Sequence, residues 1–160
     1  MTGCHCDLID LVERSPAHAD VVGLLRAFYA EQVSRYGFAD SIALGDDQFA
    51  RPRGVFVVVY DDGGPAGCGG WRWHDVGSRT VEIKKTFVVP ASRGRGIGRT
   101  LLCWLEREAV AAGAVRAILE TGVRNAEALG LFASQGYEPV ASYVPGRDPE
   151  VNRAFARDFT

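Results

Sequence analysis

At 160 residues, with 47% hydrophobic and 24% charged residues, the chain is long enough to bury a core, and we expect one domain spanning residues 1–160. The formal net charge of −2 argues against a general nucleic-acid binder, which is usually clearly basic. No segment is apolar enough to cross a membrane, and the first 15 residues lack the parts of a secretion signal, so we expect a cytoplasmic protein.

The cysteine pattern predicts no metal site. Cys4, His5 and Cys6 lie close together, but no second pair of ligands follows at a spacing typical of zinc sites. Cys68 and Cys103 lie in apolar runs. We therefore expect four ordinary reduced thiols.

The N-terminal third of the chain predicts one strand, one helix and a long loop. Residues 7–14 are extended enough for a first strand, and Ser15 with Pro16 is expected to cap a helix that runs to about Ser34. Residues 36–54 contain Gly, Asp and Pro at short intervals and predict a loop with at most one helical turn. Because long loops in compact domains are usually functional or disordered, we expect this loop to face a substrate.

Three antiparallel strands are predicted next, at residues 55–60, 66–74 and 80–89. Alternation places Trp71 and Trp73 on one face of the sheet, where we expect core packing. The rest of the chain predicts a helix at residues 96–112, a strand at 114–121, a helix at 125–135, a strand at 137–142 and a last edge strand at 152–159. The order predicts an α/β protein with a mixed sheet and one parallel strand–helix–strand unit.

The stretch "SRGRGIG", residues 92–98, joins a strand to an amphipathic helix and predicts an anion site. Exposed amides at a helix N-terminus bind phosphate, and glycines let the backbone approach it closely. The alternative is a glycine-rich turn with solvated arginines. The position of the loop, after three antiparallel strands, does not fit a Rossmann site, and the lack of a lysine before Thr100 does not fit a P-loop.

These residues resemble the GNAT superfamily of N-acetyltransferases. Arg93, Gly96 and Gly98 match its Arg/Gln-x-x-Gly-x-Gly/Ala motif, and the likeness extends over residues 55–140. The resemblance implies an acyl-CoA N-acyltransferase fold with a central sheet of about seven strands flanked by helices. It also implies an acetyl-CoA site between the fourth and fifth strands. The residues implied to bind acetyl-CoA are Phe87, Val88, Val89, Arg93, Gly94, Arg95, Gly96, Ile97, Gly98, Arg99 and Asn125.

Two carboxylates are candidates for deprotonating or binding the acceptor. Glu82 lies eleven positions before Arg93, where some GNAT members carry a general base, and Glu120 is expected to face the same cleft as a substrate-binding residue. The alternative for Glu82 is a surface glutamate paired with Lys84 or another neighbour. Period-two counting places Glu82, Lys84, Thr86 and Val88 on one face. A cationic acceptor is suggested by these two glutamates together with the loop aspartates Asp40, Asp46 and Asp47.

The chain departs from the superfamily at Phe132, where many members have a tyrosine that protonates the leaving thiolate. Water, Tyr137 or Tyr143 would have to replace it, or no acid is needed. The resemblance implies an enzyme that transfers acetyl from acetyl-CoA to a primary amine of a small molecule or peptide by direct attack. The alternative function is a non-catalytic acyl-CoA-binding domain. Homodimers are common in the superfamily and are possible here.

Overall fold

A computed structural model describes residues 8–41, 43–44 and 47–159. The Cys4-His5-Cys6 trio and Asp46 lie outside the described residues. None of the helices within the described ranges is long and apolar enough to cross a membrane.

The protein is built on one seven-stranded mixed sheet with the order β1-β2-β3-β4-β5-β7-β6. The strands are β1 (Ile9–Glu13), β2 (Gly54–Asp61), β3 (Gly64–Asp75), β4 (Thr80–Val88), β5 (Arg116–Gly122), β6 (Glu138–Val140) and β7 (Asn152–Asp158). Only β4 and β5 run parallel, and the other neighbours in the sheet are antiparallel. The predicted mixed sheet and its single parallel pair are confirmed.

Three helices cover the sheet: α1 (Ala19–Tyr36), α2 (Ile97–Ala111) and α3 (Ala126–Ser134). The predicted cap of α1 is wrong. Ser15 instead opens a turn, accepting the amide of Ala17, and His18 caps the helix by accepting the amide of Asp20 through Nδ1 at 3.1 Å. Because this turn takes up residues 15–18, the helix begins three residues later than expected.

Each face of the sheet has its own hydrophobic core. The side chains of β2 alternate between them: Val57 packs under α2 and α3, whereas Val58 packs under α1. Trp71 is 1% exposed and lies in the core under α2, with the Trp73 ring centroid 6.0 Å away, so the core position expected for the tryptophans is confirmed. Burial of two faces explains why β2 is a continuous apolar run.

A β-bulge interrupts the pairing of β4 with β3. Lys84 pairs with Gly70 and Phe87 with Cys68, so one extra residue of β4 is accommodated at Lys85, whose φ is +60°. Phe87 therefore packs in the core under α1, although uninterrupted alternation would place it under α2 with Val81 and Ile83. The predicted common face is wrong beyond Lys84: Thr86 and Val88 point to the face opposite Glu82.

The last strand is not at an edge, as the sequence had suggested. β7 pairs along its whole length with β5 and, on its other side, with the three residues of β6. The C-terminal strand inserts between two elements that precede it in the chain, and Ala154 and Ala156 are buried. Local sequence does not determine this insertion, because both neighbours of β7 are distant in the chain.

Candidate active site

The parallel strands β4 and β5 part soon after they begin. Their register covers three residue pairs and ends where Glu82 meets Ile118. Beyond this point the strands diverge, and a cavity of about 360 Å³ lies between the second half of β4, the N-terminus of α2 and one side of α3. The divergence leaves backbone groups of β4 without a strand partner, so a ligand can bind to them.

Backbone alternation identifies the group that faces this gap. The Val89 amide donates to the Ala66 carbonyl of the β3 side at 2.8 Å. Since successive residues of a strand direct their N–H and C=O groups to opposite sides, Val88 directs its own towards the gap. Its carbonyl there accepts the Arg93 Nε at 2.9 Å. Val88 is therefore the residue of this segment whose amide is placed to meet a ligand.

The glycine-rich loop presents the N-terminus of α2 to the cavity. Gly94 and Gly96 have φ values of +81° and +79°, and Gly96 caps the helix without a side-chain hydrogen bond. Ile97 and Leu101 are buried and anchor the helix in the core under α2. The first amides of α2 have no partner within the helix, so they form a cluster of donors for an anion.

The three arginines of the loop have different surroundings. Arg93 is half-buried; it also donates to Glu31 Oε2 at 2.7 Å and lies over the Phe87 ring. Arg95 is turned towards the carboxylate of Asp61. Arg99 lines the cavity from an exposed position on α2. Arg99 is thus the loop arginine best placed to add charge near a bound anion.

Most of the residues predicted to bind acetyl-CoA line this cavity: Phe87, Val88, Arg93, Gly94, Gly96, Ile97, Gly98, Arg99 and Asn125. Val89 and Arg95 do not. Asn125 caps α3, where its Oδ1 accepts the Ala128 amide at 3.2 Å, and it lies between two cavities.

A second, smaller cavity of about 100 Å³ adjoins the first. Both are lined by Phe28, Thr86, Asn125, Ala128 and Phe132, so they form one continuous cleft. Glu82 and Glu120, predicted separately from β4 and β5, both line the second cavity, and so does Asp40 from the segment after α1. The fold therefore brings together Glu82, Glu120 and Asp40, whereas Asp47 does not line the cavity; Asp46 lies outside the described residues.

Glu82 is buried, with 2% of its surface exposed, so the surface alternative is wrong. Its Oε1 accepts hydrogen bonds from Arg72 at 2.9–3.0 Å, and its Oε2 accepts the Tyr143 hydroxyl at 2.8 Å. Burial and the neighbouring Glu82 charge raise the pKa of Tyr143, so this hydroxyl keeps its proton. A carboxylate has about four lone-pair sites, which leaves Glu82 able to accept a further proton donor.

Arg147 links Glu120 to Asp40, and both of these carboxylates line the second cavity. The guanidinium donates to both Glu120 oxygens, at 3.1 and 2.6 Å, and to both Asp40 oxygens, at 3.3 and 3.2 Å. Both carboxylates therefore share one arginine, Arg147, from the segment between β6 and β7. The sequence analysis missed Arg72 and Arg147, because each contacts a carboxylate that lies on another element of the fold. Arg72 on β3 contacts Glu82 on β4, and Arg147, between β6 and β7, contacts Glu120 on β5.

Phe132, which replaces the usual tyrosine, and the two tyrosines that could protonate the thiolate lie in different environments. Phe132 is 4% exposed and lines both cavities. Tyr137 packs against it and donates to Glu106 Oε2 at 3.3 Å, on the core side of α2. Burial raises the pKa of Tyr137, and its ring lines neither cavity. Of the two tyrosines, Tyr143 alone is bonded to a residue of the cleft.

Comparison with solved structures identifies the class of protein that this fold defines. A presumed acyl-CoA N-acyltransferase from Klebsiella pneumoniae has a TM-score of 0.81 and 21% identity, over 96% of this chain and 99% of that one. The presumed acetyltransferase yncA from Salmonella typhimurium, solved with its cofactor acetyl-CoA, has a TM-score of 0.71 and 21% identity, over 95% and 94%. The fold is that of the acyl-CoA N-acyltransferases.

Sequence comparison gives the family. Residues 20–137 match the model of the Acetyltransferase (GNAT) family. The "IAA acetyltransferase" of Azospirillum brasilense is 33% identical over 142 residues, which are 88% of this chain and 92% of that protein. The chain therefore belongs to the GNAT family of acetyltransferases, as the glycine-rich motif indicated.

Proposed function

We propose that the protein transfers the acetyl group of acetyl-CoA to a primary amine by direct attack within the cleft between β4 and β5. One observation carries this proposal: the strands part beside the buried Glu82, and the gap opens on the N-terminus of α2. A donor site and a carboxylate thus share one continuous cleft. The yncA structure, which contains acetyl-CoA, has the same fold.

The donor would bind along the first cavity. The amides from Gly94 to Arg99 would hold the pyrophosphate, with the positive end of the α2 dipole adding to the attraction. The pantetheine would lie against β4, where Val88 faces the gap, with Asn125 on the other side. Arg93 would act indirectly, since its bonds to Val88 and Glu31 fix the loop against β4 and α1.

The acceptor would occupy the second cavity beside Glu82. An amine must lose a proton before it can attack a thioester, and a buried carboxylate can take that proton directly or through water. Arg72 and Tyr143 would hold Glu82 in place for this step.

The Val88 amide would stabilise the oxyanion formed on attack, because its N–H faces the place where the thioester would lie. The bond from the tetrahedral carbon to sulfur then breaks, and CoA leaves as the thiolate. A thiol has a pKa within a few units of neutrality, so this leaving group needs no acid, in keeping with Phe132 at the position of the usual tyrosine.

The test is acetyl-CoA turnover with a panel of amines, measured as thiol release. Glu82→Gln keeps the shape of the side chain but removes its basicity, and we expect kcat/KM to fall by roughly 10²–10⁴-fold. CoA affinity, measured by calorimetry, should stay within about twofold. Glu138→Gln is the matched control, because Glu138 is an exposed carboxylate on β6.

The competing function is a non-catalytic acyl-CoA-binding domain. Phe132 favours it, because the family's usual proton donor is missing at a position that lines both cavities. Under this alternative CoA binds, no class of amine is acetylated, and Glu82→Gln changes nothing. That set of results would refute the catalytic proposal.

A further inference from the structure

The chain has only two lysines among its 18 basic residues, and they are adjacent: Lys84 and Lys85. Both line the second cavity. Every other basic side chain, His aside, is an arginine. Lysine and arginine bind oxyanions differently, since lysine is a compact point charge on a flexible stem.

The bulge in β4 lets both lysines line one cavity. In a regular strand successive side chains point to opposite faces, so one lysine would point to the face covered by α2. The extra residue at Lys85, with its φ of +60°, removes this alternation. A non-glycine residue in the left-handed region is strained, and such strain often marks a functional site.

Each carboxylate of this cavity has an arginine partner, whereas neither lysine has a carboxylate partner among the described residues. Glu82 is paired with Arg72, and Glu120 and Asp40 are both paired with Arg147. Arg35, the remaining cation of the lining, is paired with Glu31 of its own helix.

Neither lysine has a carboxylate partner among the described residues. The Lys84 ammonium has no hydrogen bond or ion pair with any of them, and the Lys85 ammonium donates only to the Ser41 carbonyl, at 3.1 Å. With Arg35 offset by Glu31, the three lining carboxylates face Arg72, Arg147 and the two lysines, so four positive charges meet three negative ones.

We propose that the acceptor carries an anionic group close to its amine, and that Lys84 and Lys85 bind this group as a carboxylate, phosphonate or phosphate. This inference rests on the proposed function, because it places the amine at Glu82. Glu82 and Lys84 share one face of β4 before the bulge, and two residues of a strand span about 7 Å. That spacing suits a compact molecule with an amine and an acid group a few bonds apart.

The electrostatics of Lys85 support the same conclusion. Burial lowers the pKa of Lys85, like-charge repulsion from Lys84 and Arg147 lowers it further, and Asp40 partly opposes these effects. A bound anion would oppose both effects. The cationic acceptor suggested by the acidic residues alone is thus the less favourable partner, because those carboxylates are already occupied by arginines.

The experiment compares pairs of acceptors that differ only in the acid group. Amino acids and aminoalkylphosphonates are each tested against the amine with the same carbon skeleton and no acid group. We expect the acid-bearing member to have a kcat/KM about tenfold or more higher, through KM. Lys84→Gln should reduce kcat/KM for that member by about 10–100-fold, and leave the neutral amine within about twofold.

Arg107→Gln is the matched control, since it removes one positive charge from the exposed face of α2 and should leave both acceptors unchanged. Equal use of both members of each pair would overturn the proposal. An equal loss for both in Lys84→Gln would also overturn it. A third contrary result is a preference for succinyl-CoA over acetyl-CoA that Lys84→Gln abolishes, which would place the anion on the acyl group.

A binding measurement separates failure of this inference from failure of the proposed function. Lysine labelled with ¹³C at Cε gives only two side-chain signals, which Lys84→Gln assigns. In the CoA-bound protein we expect both signals to shift on addition of the acid-bearing compound and not with its neutral partner. If no amine is turned over and the signals still shift, the catalytic proposal fails but the anion site stands. If they do not shift, the anion site is wrong.

Discussion

Replacement of Gly96 by valine tests whether the backbone of the loop, rather than its arginines, binds the cofactor. Gly96 caps α2 with φ at +79°, and a Cβ built there meets no atom within 4 Å. The Cβ of a substituted residue therefore causes no clash. Valine would disfavour the left-handed conformation, which costs a non-glycine residue roughly 1–2 kcal/mol, and more for a β-branched one.

The magnitude follows from two terms. If the loop keeps its shape, the strain lowers the free energy of unfolding by about 1–2 kcal/mol. If the loop relaxes, the amides before Ile97 turn away from the cavity, and the loss of one charge-assisted hydrogen bond costs about 1.5–3 kcal/mol. Since 1.4 kcal/mol is tenfold in affinity, we expect the Kd for CoA to rise by about ten- to hundredfold, measured by calorimetry.

Two variants make the result interpretable. Gly113→Val introduces the same kind of strain, at φ +101°, in the turn after α2 and away from the cleft, so it should lower stability but not CoA affinity. Arg95→Ala removes a charge from the same loop, but Arg95 is paired with Asp61 and does not line the cavity. We expect a change of less than about threefold. If Arg95→Ala weakens CoA binding more than Gly96→Val, the loop acts through its charge and the reasoning is refuted.

Two further predictions concern the second cavity. Tyr143→Phe removes a hydrogen bond that holds the Glu82 carboxylate in place, so kcat/KM should fall about 3–10-fold; an unchanged kcat/KM would show that Tyr143 only packs. Burial lowers the pKa of Lys85 below 10.5, so the folded state is penalised while this lysine is charged, and the penalty disappears as pH rises towards 10.5. Urea denaturation should therefore show that Lys85→Met gains more stability, relative to the original protein, at pH 7 than at pH 10, and a difference independent of pH would contradict this.

Local sequence was sufficient for most elements, because their signals depend on residues close together in the chain. The ends of β2 and α2 were predicted to within a residue or two. β2 is a continuous apolar run, and α2 has an apolar stripe that includes Ile97 and Leu105. The glycines before α2 identified the loop, since a left-handed backbone needs glycine at Gly94 and Gly96. The family followed from this motif and its neighbours.

The errors arose where a structural feature depends on contacts between distant segments. The bulge at Lys85 depends on pairing with β3 and carries no turn residue of its own, so counting along β4 placed Thr86 and Val88 on the wrong face. The interior position of β7 depends on both of its neighbours in the sheet, and neither precedes it directly.

The sequence by itself determined the fold family, the glycine-rich loop proposed to bind an anion and the candidacy of Glu82, since each depends on residue type and short-range spacing. Only the tertiary structure decided the charge balance of the second cavity. Each acidic residue there has an arginine partner from a distant segment: Arg72 lies on β3, and Arg147 follows β6. The charge balance depends on which charged side chains have a partner of opposite charge after folding. Among the described residues, the two lysines of this cavity have no carboxylate partner.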